Sequence, residues 1–534
     1  MDKMDNNTRV ILAVGLSLLI LLVWNFIFPP PKSKPVVSQN KTQKVKTSQS
    51  QPKPQPVKSN FTPVGEFNPQ AGKKIIVETP LYKAVLNSQG GILEHFILKK
   101  YKVSVKPNSP NIDLISPDAL TKGPLGIIWN KIPSWLKFNW SYQGQDLHLT
   151  QNETKKLVFK GEYNGITLLR ELQFNANTYQ IKEHLKILTT QPITNAEIAF
   201  VISTLPLTRD ENRYNPTRIV YLGQSGLEEE HDKDDLSKGI ITSNQVKWGA
   251  IANNYFLLGL IPTSKNFVFK AKLEEKIYRL ALAQNLEGSF PKEVSCIYYL
   301  GPKEKKQLSL VPNHLESAIH YGWFDFIAKP LIEVLNFFYK YTHNYGIAII
   351  LLTILIKLLF WPLSNKSYKS MNQMKKLQPL MAEIREKYKD DRQKMNEEMM
   401  RLYKTYKVNP AGGCMPMLIQ IPVFFGLYQG LLGAIELRHA AFISHLPFTN
   451  LIWLADLSAK DPYYITPLIM GATMFIQQKM TPAPGDPTQA KMMLFMPIIF
   501  TFLFLNFPSG LVIYWLVNNI LSIAQQWWMM KKQA

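Results

Sequence analysis

Residues 346–362 read GIAIILLTILIKLLFWP, an apolar run interrupted by one threonine and one lysine and closed by a proline. A run of this kind is expected to be a helix standing in hydrocarbon, and the fold turns on what it does with its lysine. Thr353 and Lys357 are four residues apart and project from one helix face. An ammonium near mid-helix costs on the order of 2.5–3.5 kcal/mol even on the lenient insertion scale, so Lys357 should face water or an anion. It also stands roughly 7 Å of helix rise before Pro362, near enough to snorkel to headgroups, and the run alone leaves both readings open.

The last apolar run, Gly510 to Trp528, favours the first reading. Tyr514, Asn518, Ser522 and Gln525 recur at i, i+4, i+8 and i+11 and form a polar stripe. Gln420 and Gln429, Gln477 and Gln478, and Thr501 and Asn506 add polar groups to the runs between. Any one of these is expected simply to hydrogen-bond between helices. So many, beside a lysine with no intramembrane acid near it, point to a hydrated groove.

Further out, the chain divides by texture. Its 534 residues are too many for a single core, and a mean hydropathy of −0.09 hides apolar runs crowded at both ends. Residues 1–9 form a polar leader and 10–28 a transmembrane anchor, because about 19 apolar residues without an A-x-A site suit a span better than a cleaved signal peptide. Residues 29–60, rich in Lys, Gln, Ser and Pro, read as a flexible linker. Residues 61–320 alternate in short stretches with Asn, Gly and Pro turns, which predicts an all-β domain of two packed sheets. Residues 321–341 are amphipathic at helical spacing and are expected to lie along the bilayer surface, the alternative being a core helix of the β-domain. Residues 342–534 carry five runs, Gly346–Pro362, Met415–Leu432, Tyr463–Met480, Met492–Phe507 and Gly510–Trp528, giving six transmembrane helices with the anchor. The fourth of these five, about 16 residues, is short for a hydrocarbon core of roughly 30 Å and would thin the bilayer beside it.

Twelve Lys and Arg between Lys366 and Lys407 keep that segment cytoplasmic, whereas the next loop offers Arg438 and Lys460 alone. Both termini are then inside and the β-domain outside. Within the basic segment, Met371, Met374, Leu377, Leu380, Met381 and Ile384, then Met395, Met399, Leu402 and Tyr403, repeat at helical intervals around Asp390-Asp391. Two short helices in a hairpin, residues 364–410, follow from that. Methionine adapts to many shapes, so the apolar face is either a client-handling surface or the hairpin's own core.

The charge of +22 is dispersed without a nucleic-acid motif, and suits anionic lipids and acidic segments better. Cys296 and Cys414 have neither metal nor redox spacing. No GxxxxGK[ST], HExxH or GxSxG pattern is present, so neither a cofactor nor a catalytic residue is expected. A small-anion transporter would predict inverted repeats and paired broken helices, which the sequence lacks. A membrane-tethered carbohydrate-binding protein or sugar enzyme would need carboxylates converging in one cleft, which scattered acids neither show nor exclude.

Four stretches, YGWFDFIAKPL from Tyr321, KVNPAGGCMPMLIQIPVF from Lys407, LSAKDPYYITPLIMGATMFIQQKM from Leu457 and FPSGLVIYWLVNNILSIAQQ from Phe507, together resemble the YidC/Oxa/Alb family of insertases. VETPLYKAVLNSQGGILEHFILKKY and WGAIANNYFLLGLIP resemble the large periplasmic domain of its Gram-negative members. The resemblance implies a bacterial inner-membrane protein that inserts and helps fold other membrane proteins, with a β-supersandwich outside and no covalent chemistry. It implies that Lys357 sits in a hydrophilic groove and that Thr353, Tyr514 and Trp515 line the client path; the polar stripes add Gln420, Asn518 and Ser522 to the expected groove, and the hairpin's apolar pattern makes Met371, Met374, Met395 and Met399 the expected client-capture residues. Nascent membrane proteins, the Sec translocon with its accessory subunits, anionic lipids and either the ribosome or the signal-recognition receptor are the partners it implies. Arginine is usual where this chain has Lys357, and a lysine, unlike an arginine, can lose its proton.

Overall fold

The computed structural model describes residues 72–190, 195–207, 215–242, 246–264, 266–406, 408, 415–481 and 487–533. The expected leader, anchor and linker, the first residues of the β-domain and Cys414 lie outside them. Residues 487–496 belong to one compact unit and the remaining described residues to another.

Strands fill residues 74–302. One sheet has nine strands, in the order Gly226–Glu230, Arg218–Gly223, Trp248–Ala252, Phe256–Pro262, Lys292–Pro302, Gln180–Thr189, Ile166–Asn175, Thr154–Tyr163 and Asn139–Ser141. Where the sequence reading expects one further sheet there are two among the described residues, of six and five strands, with no ladder joining them there. Side chains from all three meet in one buried cluster that includes Val77, Phe96, Leu168, Phe200, Leu258 and Leu282. Alternation sets which strands carry one solvated face: Phe267–Glu274 buries every second residue. WGAIA and FLLGLIP, apolar throughout, are buried on both faces.

Arg170 pins the three sheets together. It is fully buried, and its guanidinium meets Glu183 through Nε at 2.8 Å and Nη2 at 2.9 Å. Its remaining donors go to the carbonyls of Gly90, Gly91 and Leu125. Gly90 and Gly91 can offer those carbonyls because both take positive φ, 80° and 61°, where a side chain would strain the turn.

Eight longer helices follow: α1 (Asp325–Thr342), α2 (Tyr345–Leu359), α3 (Trp361–Lys387), α4 (Arg392–Thr405), α5 (Met415–Gly433), α6 (Ile465–Met480), α7 (Pro487–Phe504) and α8 (Ser509–Gln533). α1 buries Ala328, Ile332 and Leu335 in a cluster shared with α2, α5 and α8, so it belongs to the helical part and is no core helix of the β-domain. It comes close to α5 because glycines face it: a Cβ on Gly426 or Gly430 would stand 3.0 Å from Ile327 or Ile332. Its other face shows Phe326, Phe337 and Tyr341 among Lys329, Glu333 and Lys340.

α2 stops at Leu359 and α3 leaves it at 63°. Pro362 explains the break, because its ring lacks an N–H and collides with the carbonyl four residues back. Among the described residues no single helix is long and apolar enough to cross a membrane, while α2 and α3 pass that test as a bent pair. Large apolar side chains nevertheless stand exposed along the helices, among them Leu358, Leu359, Leu468, Ile476, Phe502 and Ile520. Water does not tolerate a surface of that extent, and hydrocarbon does.

Candidate functional site

Asn344 starts α2 by accepting the N–H groups of Gly346 and Ile347 at 2.8 and 3.2 Å. The helix then turns Ala348, Ile349, Leu352, Thr353 and Ile356 inward and leaves Leu355, Leu358 and Leu359 outside. Lys357, between these faces, is half-buried. Its Nζ donates to Ser522 Oγ at 2.6 Å. Ser522 in turn donates to the Asn518 carbonyl at 2.7 Å, so its one proton is spent and its lone pairs are turned to the ammonium. Tyr368 of α3 stands near Ser522. No carboxylate pairs Lys357 among the described residues. An ammonium has three donors, and the Ser522 bond accounts for one.

The rest of the stripe on α8 follows the same rule. Gln420 of α5 donates through Nε2 to Asn518 Oδ1 at 3.3 Å and to the Tyr514 hydroxyl at 3.5 Å. Gln525 donates to Asn365 of α3 at 2.9 Å. The stripe is therefore a polar seam that ties α8 to α5, α2 and α3 at successive heights. Gln525 Oε1 and Gln526 Oε1 are buried along α8 with no protein partner among the described residues.

Two residues expected beside the seam are placed differently. Thr353 is 1% exposed and gives its hydroxyl proton to the Ile349 carbonyl of its own helix at 2.7 Å. Trp515, about 100° around the helix from Tyr514, enters an aromatic group with Phe424, Phe504 and Phe500 at 4.8, 5.3 and 6.3 Å. Asn365 and Tyr368 are seam residues that the sequence reading misses, because they follow Pro362 in a stretch assigned to the cytoplasmic hairpin. Their five- and eight-residue distance from Phe360, resumed as helix beyond a proline, is the signal that would have found them.

In the basic segment the helices are longer than expected, α3 running from Trp361 to Lys387 through Pro379. Asp391 caps α4 by accepting the Lys394 N–H at 3.0 Å. Leu377, Met381, Met399 and Val408 form the pair's own small core, with Met374 against it. Met371 and Met395 are half-exposed, and Met400 is exposed. Among the described residues no group of three or more His, Cys, Asp or Glu converges to hold a metal ion.

Two family models match this chain, the YidC periplasmic domain over residues 74–334 and the 60Kd inner membrane protein over residues 337–534. The membrane protein insertase YidC of Maridesulfovibrio salexigens is 52% identical over 542 residues, covering 98% of this chain and 99% of the relative. That of Nitratidesulfovibrio vulgaris is 52% identical over 538 residues with the same coverage. A crystal structure of active YidC insertase with its first transmembrane domain resolved aligns over 97% of this chain and 98% of its own, at 20% identity and a TM-score of 0.38, too loose a likeness to bear on geometry. With half of the residues shared across nearly the full length of both partners, the chain belongs to the YidC family of membrane protein insertases, inner-membrane proteins with a β-rich periplasmic domain and a helical core.

Proposed function

We propose that this chain inserts membrane proteins by differential binding, with Lys357 as the electrostatic focus of a groove along the α8 seam. Six spans, the anchor at 10–28 and five in the core, place both termini and the α3–α4 pair in the cytoplasm and the β-rich domain in the periplasm. The α3–α4 pair meets a nascent hydrophobic segment through its half-exposed methionines. Lys357 then draws the acidic or polar tail of that segment toward the seam, and the apolar sides of α5 and α7 guide the span outward. Burying some 20 apolar residues in lipid supplies the drive, and the membrane potential adds about 2.3 kcal/mol per acidic charge per 100 mV. No bond is made or broken. The Sec translocon, the ribosome or signal-recognition receptor, and anionic lipids are the partners this places around the chain.

One observation carries the reading: a lysine inside an apolar helix is held by a neutral serine, with no carboxylate beside it among the described residues. A purely structural lysine would more economically be paired with an acid. Insertion of a client with an acidic tail into vesicles tests it. Lys357→Ala should slow insertion at least several-fold and Lys357→Arg should restore it. Ser522→Asp, which neutralises the lysine without removing it, should slow that client and spare one with an uncharged tail. Equal insertion by wild type, Lys357→Ala and Ser522→Asp would show that the cation plays no part.

A further inference from the structure

α6 and α7 enclose an open cleft of about 320 Å³ on the exposed side of the helical part. Leu468, Ala472 and Phe475 line it from α6, Ile498 and Phe502 from α7, and Leu505 from the turn that follows. Its floor is set by Gly471, where an added Cβ would collide with the Thr501 hydroxyl. Thr501, the one polar side chain in the lining, donates to the Pro497 carbonyl at 2.7 Å. With that proton spent and the rest of the lining apolar, the cleft suits hydrocarbon better than a polar ligand.

The end of the cleft marked by Leu468 and Leu505 meets a cation. Lys460 Nζ lies 3.4 Å from Asn506 Oδ1 and 3.5 Å from the Tyr464 hydroxyl, and 5.6 Å from the centre of the Tyr464 ring. Asn506 is the neighbour of Leu505, and Leu468 bonds back to the Tyr464 carbonyl at 3.2 Å, so the ammonium sits at the mouth. These partners are neutral, and no carboxylate pairs Lys460 among the described residues. The loop that carries it faces the β-rich domain, since Arg438 of the same loop donates to the Lys102 carbonyl at 2.8 Å. An apolar trough with a cation, a hydroxyl and a carboxamide at its outer end is complementary to a phosphodiester and the chain hanging from it.

We infer that this cleft binds one anionic phospholipid of the outer leaflet, with an acyl chain between α6 and α7 and the phosphate on Lys460. Charge decides against an apolar client helix, which offers nothing to the ammonium held among neutral groups at the mouth. The inference rests on the proposed placement of α6 and α7 in the bilayer and is independent of the step at Lys357.

The test is the full chain in phosphatidylcholine nanodiscs doped with phosphatidylglycerol that carries a photoreactive group in its acyl chain, with adducts mapped by mass spectrometry. Adducts should concentrate on residues 468–475 and 497–505. Lys460→Gln should lower them about five-fold, the worth of one lysine at a charged surface, and Lys460→Arg should retain them. Ala472→Trp, an exposed position that fills the trough, should remove them, whereas Lys357→Ala should leave them unchanged. Unlabelled phosphatidylglycerol should compete and inorganic phosphate should not. Equal labelling by a photoreactive phosphatidylcholine, adducts spread over all exposed helix faces, competition by inorganic phosphate, or labelling of residues 468–475 by a client span or a second copy in the lipid's stead would each overturn the assignment.

Discussion

Lys303 and Lys357 are both lysines withdrawn from water, and their surroundings give them different work. Lys303, in the β-rich domain, is 6% exposed, and its Nζ is 3.4 Å from the Asn253 carbonyl. Burial pushes it down to about 7, the Arg218 charge pushes the same way, and Glu229, whose carboxylate Arg218 engages at 3.1 Å, only partly opposes them. In the unfolded chain a lysine titrates near 10.4, so between about 7 and that value the unfolded state holds more protons and stability rises with pH. The penalty is fully present below about 7. The melting temperature of the full chain in detergent, followed by β-sheet circular dichroism, should therefore climb from pH 7 to pH 9, by at most about 1.4 kcal/mol of stability per pH unit. Lys303→Met should flatten the climb and raise the value at pH 7. A flat wild-type profile would mean that the ammonium is solvated in the native state. Nothing in the sequence distinguishes Lys303, which follows the apolar strand Lys292–Pro302 by one residue; Lys357 stands out because apolar residues flank it on both sides.

At the scale of elements, periodicity shows through the sequence and partners do not. The stripe at Tyr514, Asn518, Ser522 and Gln525 is legible because 3.6 residues per turn fixes a face. Its reach to Asn365 is not, because that contact depends on α3 resuming as helix at 63° beyond Phe360. Thr353 shows the same limit: spacing puts it on the face of Lys357, and a threonine can still spend its hydroxyl on the carbonyl four residues back. Among the strands, alternation is readable within each one. The split of the second layer into two sheets depends on pairing between distant strands, such as Asn195–Thr204 with both Ile277–Glu287 and Gly126–Trp129. The methionines of α3 and α4 divide in a way that can be measured. Met399→Ala should loosen the helix pair, at a cost of about 2 kcal/mol or more for a buried methionine, and speed hydrogen exchange in α4. Met371→Ala and Met395→Ala should leave exchange as it is and reduce crosslinking to a nascent hydrophobic segment. Unchanged crosslinking in that double variant would return the methionines to a packing role.

For the molecule as a whole, the β-rich domain is attached to the helical part through contacts of very unequal weight. Lys305 and Glu333 meet at 2.7 Å with 72% and 65% of their side chains exposed, and such a pair contributes at most about 1 kcal/mol. Arg438 is better placed. Its Nη2 donates to the carbonyls of Lys102 and Val103 at 2.8 and 3.4 Å, and its guanidinium lies 5.5 Å from the centre of the Phe256 ring. Close by in the chain, Ile435 is 4% exposed within the core cluster of the β-rich domain. A charged hydrogen bond of this kind contributes about 1.5–3 kcal/mol, so Arg438→Ala should raise amide exchange in residues 434–460 and at the end of strand Ile92–Lys102 by roughly ten- to a hundred-fold. Exchange in the nine-stranded sheet should not change, because its core does not depend on the attachment. Lys305→Ala should leave all of these segments as they are. If Arg438→Ala has no more effect than Lys305→Ala, apolar packing around Ile435 alone holds the domain, and Ile435→Ala becomes the substitution that releases it.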